Sequence, residues 1–278
     1  MTENTRQGTT LVLGGTGKTG RRVVERLAAR GLPVRAGSRS GTPPFDWEDQ
    51  ATWAAALRDV DAVYVTYYPD LAAPGAAASI GSFAALAAGG GVRRLVLLSG
   101  RGEEEARACE RRVQESGAEW TILRASWFNQ NFSEHYLLEP VLSGVVALPA
   151  GNVAEPFIDV EDIADVAVAA LTEDGHAGRT YELTGPRLLT FADAAGEIAK
   201  AADREVRYVP VSAEEYADAL VEHGVPADEA TMLTELFTKV LDGRNAHLTD
   251  GVRLALGREP RDFADYARDA AATGVWNG

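Results

Sequence analysis

The chain has a single cysteine among its 278 residues, so Cys109 has no partner for an internal disulfide. Histidines are almost as scarce. His135, His176, His223 and His247 lie far apart, and no metal-ligand spacing is present, so no metal site is expected. No run of about 18 apolar residues occurs, which excludes a membrane-spanning helix. Met1–Gly8 is polar and lacks the apolar core of a signal peptide, and a cytoplasmic protein is expected. Basic residues are in short supply. With 27 Lys and Arg against 41 Asp and Glu, the net charge is −14. A phosphate backbone wants a basic face, so nucleic acid is not the expected partner. Neither an internal repeat nor a low-complexity tract interrupts the chain.

What is present begins with one stretch. Thr10–Leu13 reads as a buried strand, and 18–30 reads as a helix with Val23, Val24 and Leu27 on one face. Between them the glycines are spaced Gly14-x-x-Gly17-x-x-Gly20. Gly14 permits a tight turn off the strand. Gly17 leaves its backbone open to a diphosphate. Gly20 lets the helix lie close to the sheet, and the helix N-terminus then faces the anion. Thr16, Lys18 and Thr19 fill out this cradle. A nucleoside-triphosphate P-loop is excluded, because its first glycine would have to stand at Val12.

The second strand, over 33–38, selects the cofactor. No acidic residue lies between Glu25 and Asp46, so the usual carboxylate for a ribose 2′-hydroxyl is missing. Ser38-Arg39-Ser40 stands there instead and suits a 2′-phosphate, so NADP(H) is expected in preference to NAD(H). Asp46 and Trp47 follow, before a short helix over 51–57. An acid in this region serves either the adenine amino group or a helix N-terminus, and Trp47 is placed to flank the adenine ring. Thr66 and Tyr67 leave the third strand on the cofactor side, and Tyr68 follows them. Ser99 ends the fourth strand, whose core Leu95–Leu98 is wholly apolar, as a parallel sheet requires.

Strand and helix alternate through 123, which predicts an α/β fold, a doubly wound parallel sheet with ligands at the carboxyl ends of its strands. A dinucleotide-binding core is expected over 1–150. Over 151–278 the pattern loosens into sheet-edge elements and a small, mostly helical C-terminal substrate lobe that is not an independent domain. Short β pieces are expected over 145–148 and 156–160, and amphipathic helices over 212–222, 227–241 and 263–272.

The glycine turn, Leu123-Arg124-Ala125-Ser126-Trp127-Phe128-Asn129-Gln130-Asn131, Phe157-Ile158-Asp159-Val160-Glu161-Asp162-Ile163-Ala164 and Tyr181-Glu182-Leu183-Thr184-Gly185-Pro186 resemble the NmrA-like branch of the atypical short-chain dehydrogenase/reductases. The resemblance spans the chain and implies a Rossmann-type NAD(P)-binding domain with a small substrate lobe. That family holds quinone reductases, isoflavone-reductase-like enzymes, tailoring enzymes of aromatic polyketides and redox-sensing regulators. Most short-chain dehydrogenases use a Tyr-x-x-x-Lys pair. Here the three lysines, Lys18, Lys200 and Lys239, are preceded four residues earlier by Gly14, Gly196 and Glu235, so the pair is absent. Trp127, Phe128 and Asn131, with Tyr68, are candidates for a substrate pocket, and the aromatics serve equally as core. His135 and Tyr136 are the only weak candidates for catalytic groups. The expected activity is NADPH-dependent hydride transfer to a quinone or conjugated aromatic carbonyl, with the proton coming from solvent or substrate. A polyketide tailoring step fits this class. The alternative is a non-catalytic NADP(H)-binding sensor. A small aromatic substrate, no membrane partner and a monomer or homodimer complete the expectation.

Overall fold

The computed structural model describes residues 8–277. Its strands are β1 (Thr9–Leu13), β2 (Val34–Gly37), β3 (Val60–Val65), β4 (Arg94–Gly100), β5 (Glu119–Ala125), β6 (Val145–Leu148), β7 (Ala154–Glu155), β8 (Arg179–Leu183), β9 (Leu189–Thr190) and β10 (Arg207–Pro210). Its helices are α1 (Lys18–Ala29), α2 (Trp53–Ala56), α3 (Ala76–Gly89), α4 (Glu104–Gln114), α5 (Asn131–Glu134), α6 (Leu138–Ser143), α7 (Val160–Thr172), α8 (Phe191–Ala202), α9 (Ala213–Glu222), α10 (Ala227–Val240), α11 (Gly251–Leu256) and α12 (Phe263–Ala272). Two compact units share the chain. The first holds the residues up to Ala125, Val160–Leu183 and Asp250–Arg258. The second holds Ser126–Asp159, Thr184–Thr249 and the residues from Glu259 on.

The first unit is built on a six-stranded parallel sheet in the order β2-β1-β3-β4-β5-β8. Alternation along each strand sends side chains to both faces, and both are buried. Leu11, Leu13, Val63, Val65, Leu95 and Leu97 share one core with Ile80 and Phe83 of α3 and Cys109 and Val113 of α4. Val12, Tyr64 and Val96 point to the opposite face and are equally buried. There α1 packs on α7, and α7 lies on β3, β4 and β5. Arg22 and Arg26 of α1 pair with Glu161 and Asp165 of α7, so the polar side of α1 is tied as firmly as its apolar side.

The second unit has its own aromatic core. Phe132, Phe157, Phe191, Phe237, Phe263, Tyr266 and Trp276 are buried together. The parallel pair β6–β10 and the antiparallel pair β7–β9 are its only sheets among the described residues. Capping boxes open α8 (Thr190 with Asp193) and α9 (Ser212 with Glu215), each satisfying two backbone donors reciprocally.

Two local expectations are corrected. Residues 156–160 are not a strand: Pro156 has no N–H to give a ladder, Ile158 makes only a single bridge to Phe128, and Val160 already opens α7. The helix expected over 51–57 is a 3₁₀ turn, Gln50–Thr52, running into the four-residue α2. α11 opens on a glycine. Gly251 is there for packing: a Cβ would collide with the main chain of Glu182 in β8.

Candidate active site

The glycine turn follows β1 at the carboxyl edge of the sheet. Gly14 has φ +60°, and a Cβ on it would lie 2.5 Å from Thr66 Oγ1. The Thr66 hydroxyl donates to the Leu13 carbonyl at 3.0 Å and so ties the ends of β1 and β3. At Gly20 a Cβ would run into the carbonyl of Gly14, so helix and turn could not approach as they do. Gly17 is different. Its φ and ψ of −79° and 178° suit any residue. Among the described residues, chain neighbours aside, the one atom within 4 Å of a Cβ there is the Gly14 carbonyl oxygen at 3.2 Å. Neither backbone strain nor packing demands glycine at 17, and the turn is exposed there. Gly17 also opens α1, with no side-chain cap and no acid in the first turn, so the positive end of the helix is unneutralised. Thr16 is exposed, Lys18 is half-buried and Thr19 is buried behind them. These features fit a dinucleotide diphosphate.

The turn after β2 lies beside this cradle, since the Gly15 amide donates to the Gly37 carbonyl at 3.3 Å. Arg39 is exposed and makes no hydrogen bond or ion pair among the described residues. The Ser38 carbonyl accepts from Gly41 and Phe45, folding the loop back and leaving the Arg39 side chain outside. Asp46 turns its carboxylate to the Glu48 amide at 3.0 Å, and the helix cap is supplied by Asp49 instead. Trp47 donates its indole N–H to the Thr66 carbonyl at 3.0 Å and packs against Phe45, Trp53, Tyr67 and Phe83. Tyr67 is half-buried in this cluster. Tyr68 is 75% exposed.

At the ends of β4, β5 and β8 the sheet carries a chain of charges. Ser99, 3% exposed, donates to Glu110 Oε1 at 2.7 Å. Arg124 grips the same carboxylate through Nε (2.8 Å) and Nη2 (2.6 Å), and reaches Glu182 at 3.2 Å. Arg101 closes the chain on Glu182 at 3.4 Å. Hydrogen bonding to Glu110 is the main influence raising the Arg124 guanidinium above its ordinary range. Glu103 precedes α4 without capping it. Burial, then the charges of Asp70 and Glu105, push its carboxyl up to about 7. Cys109 gives its thiol to the Leu71 carbonyl at 3.6 Å, and burial pushes it up to about 11, which leaves it no thiolate at neutral pH.

In the second unit Trp127 stacks on Phe237 with centroids 5.1 Å apart and meets Phe191 edge-on. Tyr136 and Tyr216 pack edge-on to the same Phe237. The Asn131 amide lies 3.5 Å from the Tyr136 hydroxyl, whose ionisation burial opposes strongly. His135 is exposed and edge-on to Tyr136. Phe128 is half-buried, and its main chain pairs with Ile158. Asp159 accepts from Gln130 at 2.7 Å. In the first unit, Asp162 stands in the first turn of α7, fully buried, and pairs with Arg258 at 2.7 Å.

A family model described as NAD(P)H-binding matches residues 44–174. The agroclavine dehydrogenase of Claviceps fusiformis is 34% identical over 94% of this chain and 96% of its own. The NAD(P)H azoreductase of Xenophilus azovorans is 33% identical over 94% and 98%. Among solved structures, the NADPH-dependent quinone oxidoreductase of Escherichia coli complexed with NADPH superimposes with a TM-score of 0.76 at 22% identity, over 94% of this chain and 99% of that one. The chain belongs to the NmrA-like branch of the atypical short-chain dehydrogenase/reductases. It is an NAD(P)H-dependent oxidoreductase.

Set in this NmrA-like frame, several residues gain weight that sequence alone did not assign. Glu110, on the helix where most short-chain dehydrogenases carry their Tyr-Lys pair, engages Ser99 instead. Its signal was a lone acid on the buried side of α4, with Ala106, Cys109 and Val113. Phe191 and Phe237, far apart in sequence, meet at Trp127. Among the described residues no group of His, Cys, Asp and Glu could hold a metal, and no helix is long and apolar enough to cross a membrane.

Proposed function

We propose that this protein is an NADPH-dependent reductase of planar conjugated electrophiles, quinones and azo- or enone-type aromatics among them. When bound, the dihydronicotinamide supplies the hydride. The turn Gly14–Gly20 holds the diphosphate, and Arg39 with Ser38 holds the 2′-phosphate. Trp127, half-buried at the edge of the second unit's aromatic core, is a candidate contact for a flat acceptor, where one offset or edge contact is worth about 0.5–1.5 kcal/mol. Phe128, Asn131 and the exposed Tyr68 are further candidates for acceptor contacts.

The choice of acceptor rests on the end of β4. Ser99 is buried with its proton committed to Glu110, and no Tyr-x-x-x-Lys pair stands beside it. A simple ketone needs such a relay to carry its alkoxide. A quinone does not, because its reduced anion is already stabilised. Steady-state NADPH oxidation should therefore proceed with quinones, and at least about a hundredfold more slowly with aliphatic ketones. Equal rates on a simple ketone would refute the choice. Failure with every acceptor, in a protein that still binds NADPH, would turn the reading to a dinucleotide sensor.

Cofactor preference is tested separately. One charge-assisted contact to phosphate is worth roughly 1.5–3 kcal/mol, so NADPH should bind about tenfold to a hundredfold more tightly than NADH, and Arg39→Asp should erase or invert that ratio. Equal calorimetric affinities of the unmutated protein for the two nucleotides would rule out this role for Arg39.

A further inference from the structure

We propose that the Glu103 carboxyl is the proton donor of this reductase, giving its proton to the oxygen or nitrogen of the acceptor as hydride arrives. The inference rests on the reductase reading above and extends it to acceptors whose reduced anion is more basic than a phenolate. Its ground is geometric. β4 ends at Gly100, and α4 begins at Glu104. Glu103 stands between them as the residue before the helix, in an extended conformation that suits a cap. Its side chain makes no capping bond. It folds back over the strand end, into the volume that a Cβ on Gly100 would need. The carboxyl is thereby held at the carboxyl edge of β4. The glycine turn after β1 and Thr66–Tyr67 after β3 lie on the same edge of this parallel sheet.

The carboxyl makes no hydrogen bond or ion pair among the described residues. The groups that face it are Asp70 from the loop after β3, Glu105 from the first turn of α4 and the Cys109 thiol one turn further on. The nearby cation Arg101 is engaged by Glu182, and Arg124 by Glu110 and Glu182. With part of its hydration removed and acids around it, the Glu103 carboxyl is pushed up to about 7. A general acid whose affinity for protons matches the working pH is the effective kind.

The balance is simple. The acceptor takes a hydride, and with it an electron pair, from the reduced nicotinamide. The O–H bond of Glu103 breaks, and a new O–H or N–H bond forms on the acceptor. The carboxylate then recovers a proton from water. The need for this acid grows with the basicity of the anion being made. A triarylmethyl cation takes hydride to give a neutral product and needs no proton. A quinone leaves a weakly basic phenolate. An azo bond or an enone leaves a much more basic anion.

The test compares the unmutated protein with Glu103→Gln, both confirmed folded by circular dichroism and thermal melting. In the absence of nucleotide, carbon-13 NMR of glutamate-labelled protein should show one carboxyl, missing from the variant, titrating near pH 7. With NADPH, kcat/KM for an azo or enone acceptor should be flat at acid pH and fall as pH rises through that value, because the protonated form is the active one. The azo-to-cation rate ratio should drop about a hundredfold or more in Glu103→Gln, with the quinone-to-cation ratio affected less. An unchanged ratio, or a carboxyl titrating in the ordinary glutamate range, would overturn the assignment and leave the reductase reading standing. Failure of the unmutated protein to reduce any of the three acceptors would overturn both.

Discussion

Gly17→Val is expected to weaken NADPH binding by at least about a hundredfold while the protein remains folded. Two charge-assisted hydrogen bonds from the turn to the diphosphate are worth roughly 3–6 kcal/mol together, which is about a hundredfold to ten-thousandfold in affinity. A valine side chain would take up the space through which the diphosphate approaches. The fold should tolerate it. The backbone at 17 is extended, and the nearest atom to a Cβ is a carbonyl oxygen at 3.2 Å, which has only to yield by a few tenths of an ångström. Exchanging glycine for valine before α1 costs about 1 kcal/mol as a poorer cap, small against a stability of roughly 5–15 kcal/mol. Calorimetric titration and a thermal melt of the same sample read both quantities. A folded variant that binds NADPH at the original affinity would show that the dinucleotide does not lie on this turn. Gly20→Ala supplies the contrast. Its Cβ would meet the Gly14 carbonyl, so it should lose the local fold and the nucleotide together.

Removal of the Glu110 side chain should be the most destabilising change at the carboxyl edge of the sheet. In Glu110→Ala the Ser99 hydroxyl loses its acceptor, and Arg124 loses both bonds of its bidentate grip. Breaking a buried pair from one side costs about 3–5 kcal/mol, because the partner charge stays behind without compensation. Arg124 retains Glu182 at 3.2 Å and is 22% exposed, so the lower end of that range applies. The melting temperature should fall by roughly 6–12 °C. Ser99→Ala removes one neutral donor and should cost only about 1–2 kcal/mol. Urea titrations of the two variants decide the matter. A loss below about 1 kcal/mol for Glu110→Ala would mean that water replaces the carboxylate and that the charge chain does not brace the strand ends. Both measurements are made without nucleotide, so they report the fold and not occupancy of the site.

The two variants differ in kind. Gly17 is a residue whose conformation and packing do not require it, so the loss expected on replacing it is one of binding. Glu110 is a residue whose surroundings require it whatever is bound. Distinguishing the two takes a glycine's φ, the distance to its missing Cβ and the list of a carboxylate's donors. None of these can be read from letters alone.

What the sequence determined by itself is chemistry confined to a few neighbouring residues. The run Thr10–Gly20 encodes strand, turn and helix within eleven letters, because Gly14 and Gly20 answer to atoms inside the same stretch or one strand away. The apolar cores of β1, β3 and β4 announce a parallel sheet, since only strands covered on both faces dispense with polar alternation. The acid-free segment between Glu25 and Asp46 is legible for the same reason, whereas the exposure of Arg39 is not. Tertiary structure alone decided the partners. Ser99 is tied to Glu110, Arg124 and Glu182, which are brought from α4, β5 and β8. The Glu103 carboxyl is pushed up by burial and then by Asp70, a residue of another loop. Trp127 meets Phe237 across more than a hundred residues of chain. α7, β8 and α11, from the C-terminal half, belong with the dinucleotide-binding sheet. A turn, a cap or a hydrophobic period is a property of adjacent residues. A charge state or a buried hydrogen bond belongs to groups that are neighbours only after the chain has folded, because desolvation and Coulomb forces act through space.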